Sequence, residues 1–240
     1  MNRPVECVVI IPCMNEGATI SRLVQSVRAH LPQVIVVDDG STDETATLAK
    51  NAGAEVIRHG QTRGKGAALN SGWKRALELG FAWALTLDGD GQHAPEDIPS
   101  FLSAAEQSAP DLVVGNRMID TRSMPWLRLH VNRWMSRRLS QATGRSLPDS
   151  QCGFRLMRLE PWSMLAIETT HFEIESEVLL AFAAAGFAIE FVPVKVIYKD
   201  ECSKIHPLRD TLRWFHWWRR VRRHPSQKAI LPKPACVPPA

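Results

Sequence analysis

The chain has 240 residues, 45% of them hydrophobic and 22% charged, and carries a net charge of +4 at pH 7. That length fits one large α/β domain with a substantial core, and the composition is ordinary for a soluble globular protein. No apolar segment reaches the roughly 20 residues of a membrane-spanning helix, and five scattered cysteines without Cys-x-x-Cys or Cys/His zinc spacing point to free thiols in a reducing cytosol.

The chain opens without a signal-peptide pattern and enters Cys7-Val8-Val9-Ile10-Ile11-Pro12, an apolar, β-branched run that reads as a central strand. The loop Cys13-Met14-Asn15-Glu16-Gly17 leads to a helical pattern from about residue 18 to 30. Residues 33–37 form a second buried strand, ending in Asp38-Asp39-Gly40-Ser41-Thr42-Asp43. A helix at 44–51, a strand at 54–57, a loop at 59–66 and a helix at 67–79 follow. The apolar run 81–87 ends in Asp88-Gly89-Asp90-Gly91-Gln92-His93. Pro95 starts another helix as an N1 proline would, and 111–115 is a fifth strand. This strict β-α alternation implies a parallel, Rossmann-like sheet with right-handed crossovers. Each acidic or glycine-rich loop then falls on one edge of the sheet, where open α/β sheets bind ligands.

Asp88 and Asp90, separated by one glycine, point to the same side of a strand end. Two like charges this close are costly unless a cation lies between them. Their hard oxygens suit Mg²⁺ or Mn²⁺, which take further ligands from a substrate diphosphate; the competing account is an ordinary Asp-Gly turn. Asp38 and Asp39 offer acceptors to a base and to ribose hydroxyls, while Ser41 or Asp43 caps the next helix. Arg63-Gly64-Lys65-Gly66 puts two cations at a helix start, a plausible diphosphate contact. It matches neither a P-loop nor G-x-G-x-x-G, which weakens a nicotinamide-enzyme reading.

Taken in order, Ile11-Pro12-Cys13-Met14-Asn15-Glu16, Val37-Asp38-Asp39-Gly40-Ser41-Thr42-Asp43, Arg63-Gly64-Lys65-Gly66 and Leu87-Asp88-Gly89-Asp90-Gly91-Gln92-His93 resemble the motifs of glycosyltransferase family 2. The dolichyl- or polyprenyl-phosphate mannose and glucose synthases are the most similar branch, and the resemblance spans about residues 5–205. It implies a GT-A fold, a nucleoside diphosphate sugar donor and an inverting transfer. It also implies a donor-binding half at 5–118 and an acceptor-side half at 119–205. On the same ground Pro12, Asn15, Glu16, Asp39 and the Lys65 loop contact the nucleotide, and Asp88, Asp90 and Gln92 stand at the metal and diphosphate positions.

In the second half, Gly115-Asn116-Arg117 resembles the family's G-x-R, whose arginine faces the acceptor. The helix expected at 126–143 carries Arg128, Arg133, Arg137 and Arg138. The resemblance assigns the acceptor phosphate to Arg133 and Ser136, leaving Arg137 and Arg138 as a solvated basic face. Asp149-Ser150-Gln151-Cys152-Gly153-Phe154-Arg155 is similar to D-x-x-S-G-F-R, with Cys152 where serine is usual. The acidic run from His171 to Glu177 opens a helix, where such residues often only complement the dipole; the resemblance brings Glu173 or Glu175 near the site. Residues 191–197 read as a strand, and Tyr198 to Lys204 resembles a loop that closes over the donor diphosphate, with Lys204 offsetting the leaving group's charge.

The segment 206–224 reads as a basic, Trp-rich amphipathic helix, Leu208 to Arg223. Tryptophan with arginine suits an interfacial helix on an anionic membrane; docking on the domain itself or a dimer contact is the alternative. Residues 225–240, rich in proline, read as a disordered tail. The expectation is a cytoplasmic enzyme, peripheral at the inner face of the membrane. It moves a hexose to a polyprenyl phosphate or to a hydroxyl acceptor such as a glycolipid, with no nucleic-acid partner and an oligomeric state the sequence leaves open. An ionised phosphate acceptor needs no general base, whereas a hydroxyl acceptor needs one, with Asp149 the first choice and Glu175 or Glu173 behind it. Two rival classes are a nucleotide-sugar-binding protein without transferase activity and a nucleotidyltransferase. The latter lacks its usual glycine-rich signature after the first strand.

Overall fold

The computed structural model describes residues 6–197 and 207–223. The apolar run at the start becomes β1 (Cys7–Cys13), buried at every position. It lies parallel between β2 (Val34–Asp38) and β4 (Trp83–Thr86). β3 (Glu55–Arg58) extends the sheet beyond β2. α1 (Ile20–Arg28) buries Ile20, Leu23, Val24 and Val27, an i, i+3, i+4, i+7 stripe that matches the helical repeat. α2 (Thr45–Asn51) and α3 (Lys65–Glu78) complete the first crossovers. A 3-10 turn at Pro95–Asp97 feeds α4 (Ile98–Ser108), which leads to β5 (Leu112–Asn116). The second half adds α5 (Trp126–Thr143), β6 (Arg155–Arg158), α6 (Leu159–Ser163), α7 (Ile174–Ala184), β7 (Ile189–Pro193) and α8 (Pro207–Arg223).

The sheet order is β3-β2-β1-β4-β6-β5-β7. The sheet is mostly parallel, as expected of a GT-A fold; the exception is β6, which runs antiparallel to both β4 and β5. With four residues, two of them arginines, this strand has no apolar run to announce it. Arg155 is nonetheless buried, because its guanidinium donates to the carbonyls of Ser150, Cys152 and Glu175. The last strand also begins earlier than the expected 191–197. Past its end, Val196 bridges His93 and the Ile197 amide donates to the Gln92 carbonyl at 2.9 Å. The chain therefore returns alongside the Asp88–His93 loop. Lys204 and the proline-rich tail from 225 lie outside the described residues.

α8 packs on the domain. Trp214, Trp217 and Trp218 are 2%, 5% and 5% exposed, Trp214 Nε1 donates to Ser176 Oγ of α7 at 2.8 Å, and its ring meets Trp134 of α5 edge-on. The tryptophans are thus turned inward, as the docking alternative has them, since burying indole surface against α5 and α7 is favourable without any bilayer. No helix among the described residues is long and apolar enough to cross a membrane. Trp214→Ala should lower the unfolding free energy by about 3 kcal/mol, read as a fall in the urea midpoint. An unchanged midpoint would show that α8 is not part of the cooperative fold.

Candidate active site

The loops at the carboxyl ends of β1, β2 and β4 hold one another in place. Asn15, in the left-handed region at φ 53°, donates its amide to Ser41 Oγ and accepts from the Thr42 amide with Oδ1, both at 2.8 Å. The Glu16 amide donates to Thr45 Oγ1. Asp38 and Asp39 then divide their work. Asp38 is fully buried, accepts from the Ser41 amide and pairs with Arg58 at 3.3 Å, so it shapes the turn from inside. Asp39 Oδ1 accepts from the Arg63 amide at 2.9 Å and contacts His59 Nδ1 at 2.7 Å; Oδ2 accepts from the Gly64 amide at 2.7 Å. His59 is braced in turn by Ser71 Oγ at 3.0 Å. Through these bonds Asp39 fixes the Arg63-Gly64-Lys65 turn. Gly64 has φ +99°, and a Cβ there would stand 2.3 Å from the Thr170 carbonyl, so the turn presses directly on the segment before α7.

Lys65 is delivered to the middle of the site. Its Nζ lies 2.6 Å from Asp88 Oδ1 and 2.6 Å from Glu175 Oε1, and 5.5 Å from the centre of the Phe172 ring. Burial alone would depress this ammonium, but Asp88 and Glu175 raise it above the usual lysine range. Burial likewise works against the charged form of Asp88, yet Lys65 and His93, whose Nε2 is 3.5 Å away, hold its carboxyl well below the usual range. Asp90 goes the other way: burial and the negative charge of Asp88 raise it. Gly153 makes room for this cluster, because a Cβ there would come within 2.8 Å of Asp88 Oδ1. Thr86 Oγ1, donating to the Gly153 carbonyl at 2.9 Å, fixes that approach.

The acceptor-side residues are arranged differently from the expectation. Arg117 points into the protein and grips Asp149 through Nε at 2.7 Å and Nη2 at 2.8 Å, with its amide at 3.1 Å. Burial disfavours the charged carboxylate, but Arg117 keeps Asp149 below its ordinary pKa. A carboxylate this stabilised is a poor proton acceptor. Ser136 is buried, bonded to Ser150 through both its hydroxyl and the Ser150 amide, whereas Arg133 stands exposed on the outer face of α5. Arg63 is exposed and Pro12 is part of buried β1, beside the Gly89 turn. Gln92 Oε1 lies 3.5 Å from Arg128 Nη1. Burial pushes the Cys152 thiol up to about 11, so it stays protonated and inert at neutral pH.

The structure thus brings Lys65, Asp88 and Asp90 to one point with Glu175, and keeps Asp39 one turn away as the anchor of Lys65. His59 takes part without having been singled out, since an isolated loop histidine leaves no periodic signal; Gly153 stood only as one letter of the D-x-x-S-G-F-R resemblance, with no role attached. Asp88 and Asp90 fit a divalent cation: the oxygens are hard, and the raised Asp90 carboxyl marks a like-charge strain that a cation between them relieves. No group of three or more His, Cys, Asp or Glu among the described residues is placed to hold a metal alone, so further ligands would come from the substrate and water.

Comparison with known proteins gives a consistent picture. The model of the family described as Glycosyl transferase family 2 matches residues 8–163. The UDP-N-acetylglucosamine–dolichyl-phosphate N-acetylglucosaminyltransferase of Methanococcus voltae is 31% identical, over 80% of this chain and 85% of that protein. The polyprenol monophosphomannose synthase of Mycolicibacterium smegmatis is 30% identical, over 78% of this chain and 75% of its own. Among solved structures, glucosyl-3-phosphoglycerate synthase from Mycobacterium tuberculosis, in complex with Mn²⁺, UDP and phosphoglyceric acid, superimposes with a TM-score of 0.70 at 21% identity, covering 95% of this chain and 79% of that one. At that identity the likeness concerns the fold.

The Asp149–Arg117 pair yields a test with a worked sign. A depressed carboxyl stabilises the fold above its unfolded pKa, about 3.9, and loses that contribution as pH falls through the folded value. Asp149→Asn, which strands a buried guanidinium, should cost about 3–5 kcal/mol at pH 7. The gap to the wild type, followed by denaturant unfolding, should narrow below about pH 4 as the native carboxyl protonates. A gap independent of pH would contradict the pairing.

Proposed function

The chain belongs to glycosyltransferase family 2, and on that footing we propose that it transfers a hexose from a nucleoside diphosphate sugar to the phosphate of a polyprenyl lipid, with inversion at the anomeric carbon. It is a hexosyltransferase of the branch that includes the dolichyl- and polyprenyl-phosphate sugar transferases. The observation that carries the proposal is the meeting of Lys65, Asp88, Asp90 and Glu175 at the end of β4. A buried ammonium beside two closely spaced carboxylates is a place where a diphosphate and its counter-cation complete a charge balance.

In this reading Asp88 and Asp90 hold Mg²⁺ or Mn²⁺, with Gln92 at the loop's far end, and the neighbouring structures solved with Mn²⁺ or Mg²⁺ and UDP support the use of such an ion. Bound there, the ion supplies neutralisation of the charge that grows on the departing diphosphate. Lys65 contributes a second, protein-borne positive charge there; Lys204, expected to add to it, lies outside the described residues. The Asn15–Glu16 and Asp39 turns, with Pro12, Asp38 and Arg63 around them, form the donor cradle; Arg133 and Ser136 belong to the acceptor side. Arg117 acts through Asp149 to hold the 149–153 segment rather than by touching a substrate.

The choice of a lipid phosphate follows from proton bookkeeping. Asp149 is committed to Arg117, Glu175 to Lys65, and Glu173 faces Arg213 at 3.8 Å, so each of the three candidate carboxylates already has a cation beside it. A phosphate monoester is already ionised near pH 7 and attacks without a base, and in-line attack from the face opposite the diphosphate inverts the anomeric centre. The relatives named for dolichyl-phosphate and polyprenol substrates support the same choice. The cell location that follows is the cytoplasmic face of a membrane.

Thermal shifts with a panel of sugar nucleotides, each with and without Mn²⁺, should show one donor whose stabilisation requires the metal. That donor should yield a polyprenyl-phosphate hexose in detergent by mass spectrometry. Asp88→Asn should lower turnover at least about 100-fold while leaving the fold intact. A panel without any stabilising donor, or a donor that glycosylates only hydroxyl acceptors, would overturn the proposal.

A further inference from the structure

Both oxygens of Asp88, a carboxylate suited to a divalent cation, already face a side chain of the protein. Lys65 Nζ lies 2.6 Å from Oδ1, and His93 Nε2 lies 3.5 Å from Oδ2. An ion arriving at Asp88 therefore meets the Lys65 ammonium at the same carboxylate, and two positive charges so close repel. His93 is fixed in place, since it is buried and its ring packs against Phe154 with centroids 5.3 Å apart. Lys65 is the group able to withdraw. Its ammonium rides on a flexible four-carbon stem, and a second carboxylate holds it from the other side, Glu175 Oε1 at 2.6 Å.

The two carboxylates that share Lys65 differ in access. The Asp88 side chain is 29% exposed and the Glu175 side chain 6%, with Lys65 between them at 14%. A dissolved ion thus approaches by way of Asp88, while Glu175 grips the lysine from inside. Among the described residues, Glu175 Oε2 has no hydrogen-bond donor. Lys65 is then what balances that buried carboxylate, and leaving it would strand a charge away from water. Asp90 accepts from the Gln92 amide at 3.0 Å. Three carboxylates stand around one ammonium, a negative excess that a divalent ion can balance only by sharing Asp88 with Lys65 or taking it over.

We propose that Lys65 is a built-in counter-ion that occupies Asp88 until a divalent cation and a diphosphate arrive, and that Glu175 retains the lysine while Asp88 changes partners. Lys65 then turns its charge from Asp88 to the diphosphate oxygens without leaving Glu175. The exchange couples the two ligands. A metal ion by itself competes with the ammonium, whereas a diphosphate offers the ammonium a new anion, so each ligand favours the binding of the other. This inference rests on the nucleoside diphosphate reading and deepens it. It assigns Glu175 as a positioning residue that acts through Lys65, and it gives Lys65 a task in the free protein as well as in transfer.

Titration of the full-length protein with Mn²⁺ alone, followed by the electron paramagnetic resonance signal of the free ion, tests the exchange without donor or turnover. Lys65→Met keeps the length of the side chain and should bind Mn²⁺ at least about tenfold more tightly than the wild type. Arg63→Met removes the same charge from an exposed position two residues earlier, and should change the affinity by less than about twofold. Glu175→Gln leaves Lys65 with Asp88 as its one carboxylate partner and should weaken Mn²⁺ binding about fivefold or more. This variant also carries the test if Lys65→Met does not fold. Equal Mn²⁺ affinity in wild type and Lys65→Met, an equal gain in Arg63→Met, or no loss in Glu175→Gln would overturn the exchange. Mn²⁺ binding by none of these proteins would overturn the metal reading itself, and the exchange with it. Failure of every sugar nucleotide to stabilise the protein would count against the proposed reaction and leave the Mn²⁺ result to stand by itself.

Discussion

A buried ammonium group shared by two carboxylates organises this protein's chemistry. Lys65 comes from the start of α3, Asp88 from the end of β4 and Glu175 from the first turn of α7, so one cation ties the first half of the sheet to the second. Charges removed from water are tolerated only when they are paired and bonded closely. That requirement explains the tight packing around them: Gly153 leaves room for Asp88, Gly64 lets the turn lean on residue 170, and Asp39 pins the amides just ahead of Lys65. The geometry of the site is set by charge balance before any substrate arrives.

The same logic separates structural from reactive carboxylates. Asp38 and Asp149 are fully buried and engaged, one with a turn amide and Arg58, the other with a two-pronged arginine. They hold the loops they belong to in place. Asp90 differs, because its neighbour Asp88 repels it and, among the described residues, its carboxylate accepts from the Gln92 amide at 3.0 Å and has no cation paired with it. An acid held uncomfortably near another acid is where an added positive charge gains most. Family membership and the relatives' names fit that local chemistry but are independent of it.

Tryptophan and arginine are used twice in the second half, with opposite results. In α8 the indoles fill the space against α5 and α7, and Arg219, Arg220, Arg222 and Arg223 are left outside. In α5 the aliphatic face is buried and Trp126 is left in water. Which indoles go inside is decided by what each helix packs against, and the two helices together concentrate positive charge on one part of the molecule.

The amino-acid sequence by itself determined the strands β1 to β5 within a residue or two at most ends, along with the loops that follow them and the order of the motifs. Hydrophobic periodicity and the Asp/Gly punctuation are local signals, so they survive without coordinates. Only the tertiary structure decided the rest. β6 inserts antiparallel between β4 and β5 although its four residues include two arginines, because the burial of Arg155 depends on carbonyls from residues 150, 152 and 175 that are distant or irregular in sequence. Asp149 becomes the partner of Arg117, and Glu175 the partner of Lys65, because folding sets a cation beside each carboxylate. The inward turn of the α8 tryptophans has the same origin: an amphipathic pattern specifies that a face will be covered, and only packing specifies by what.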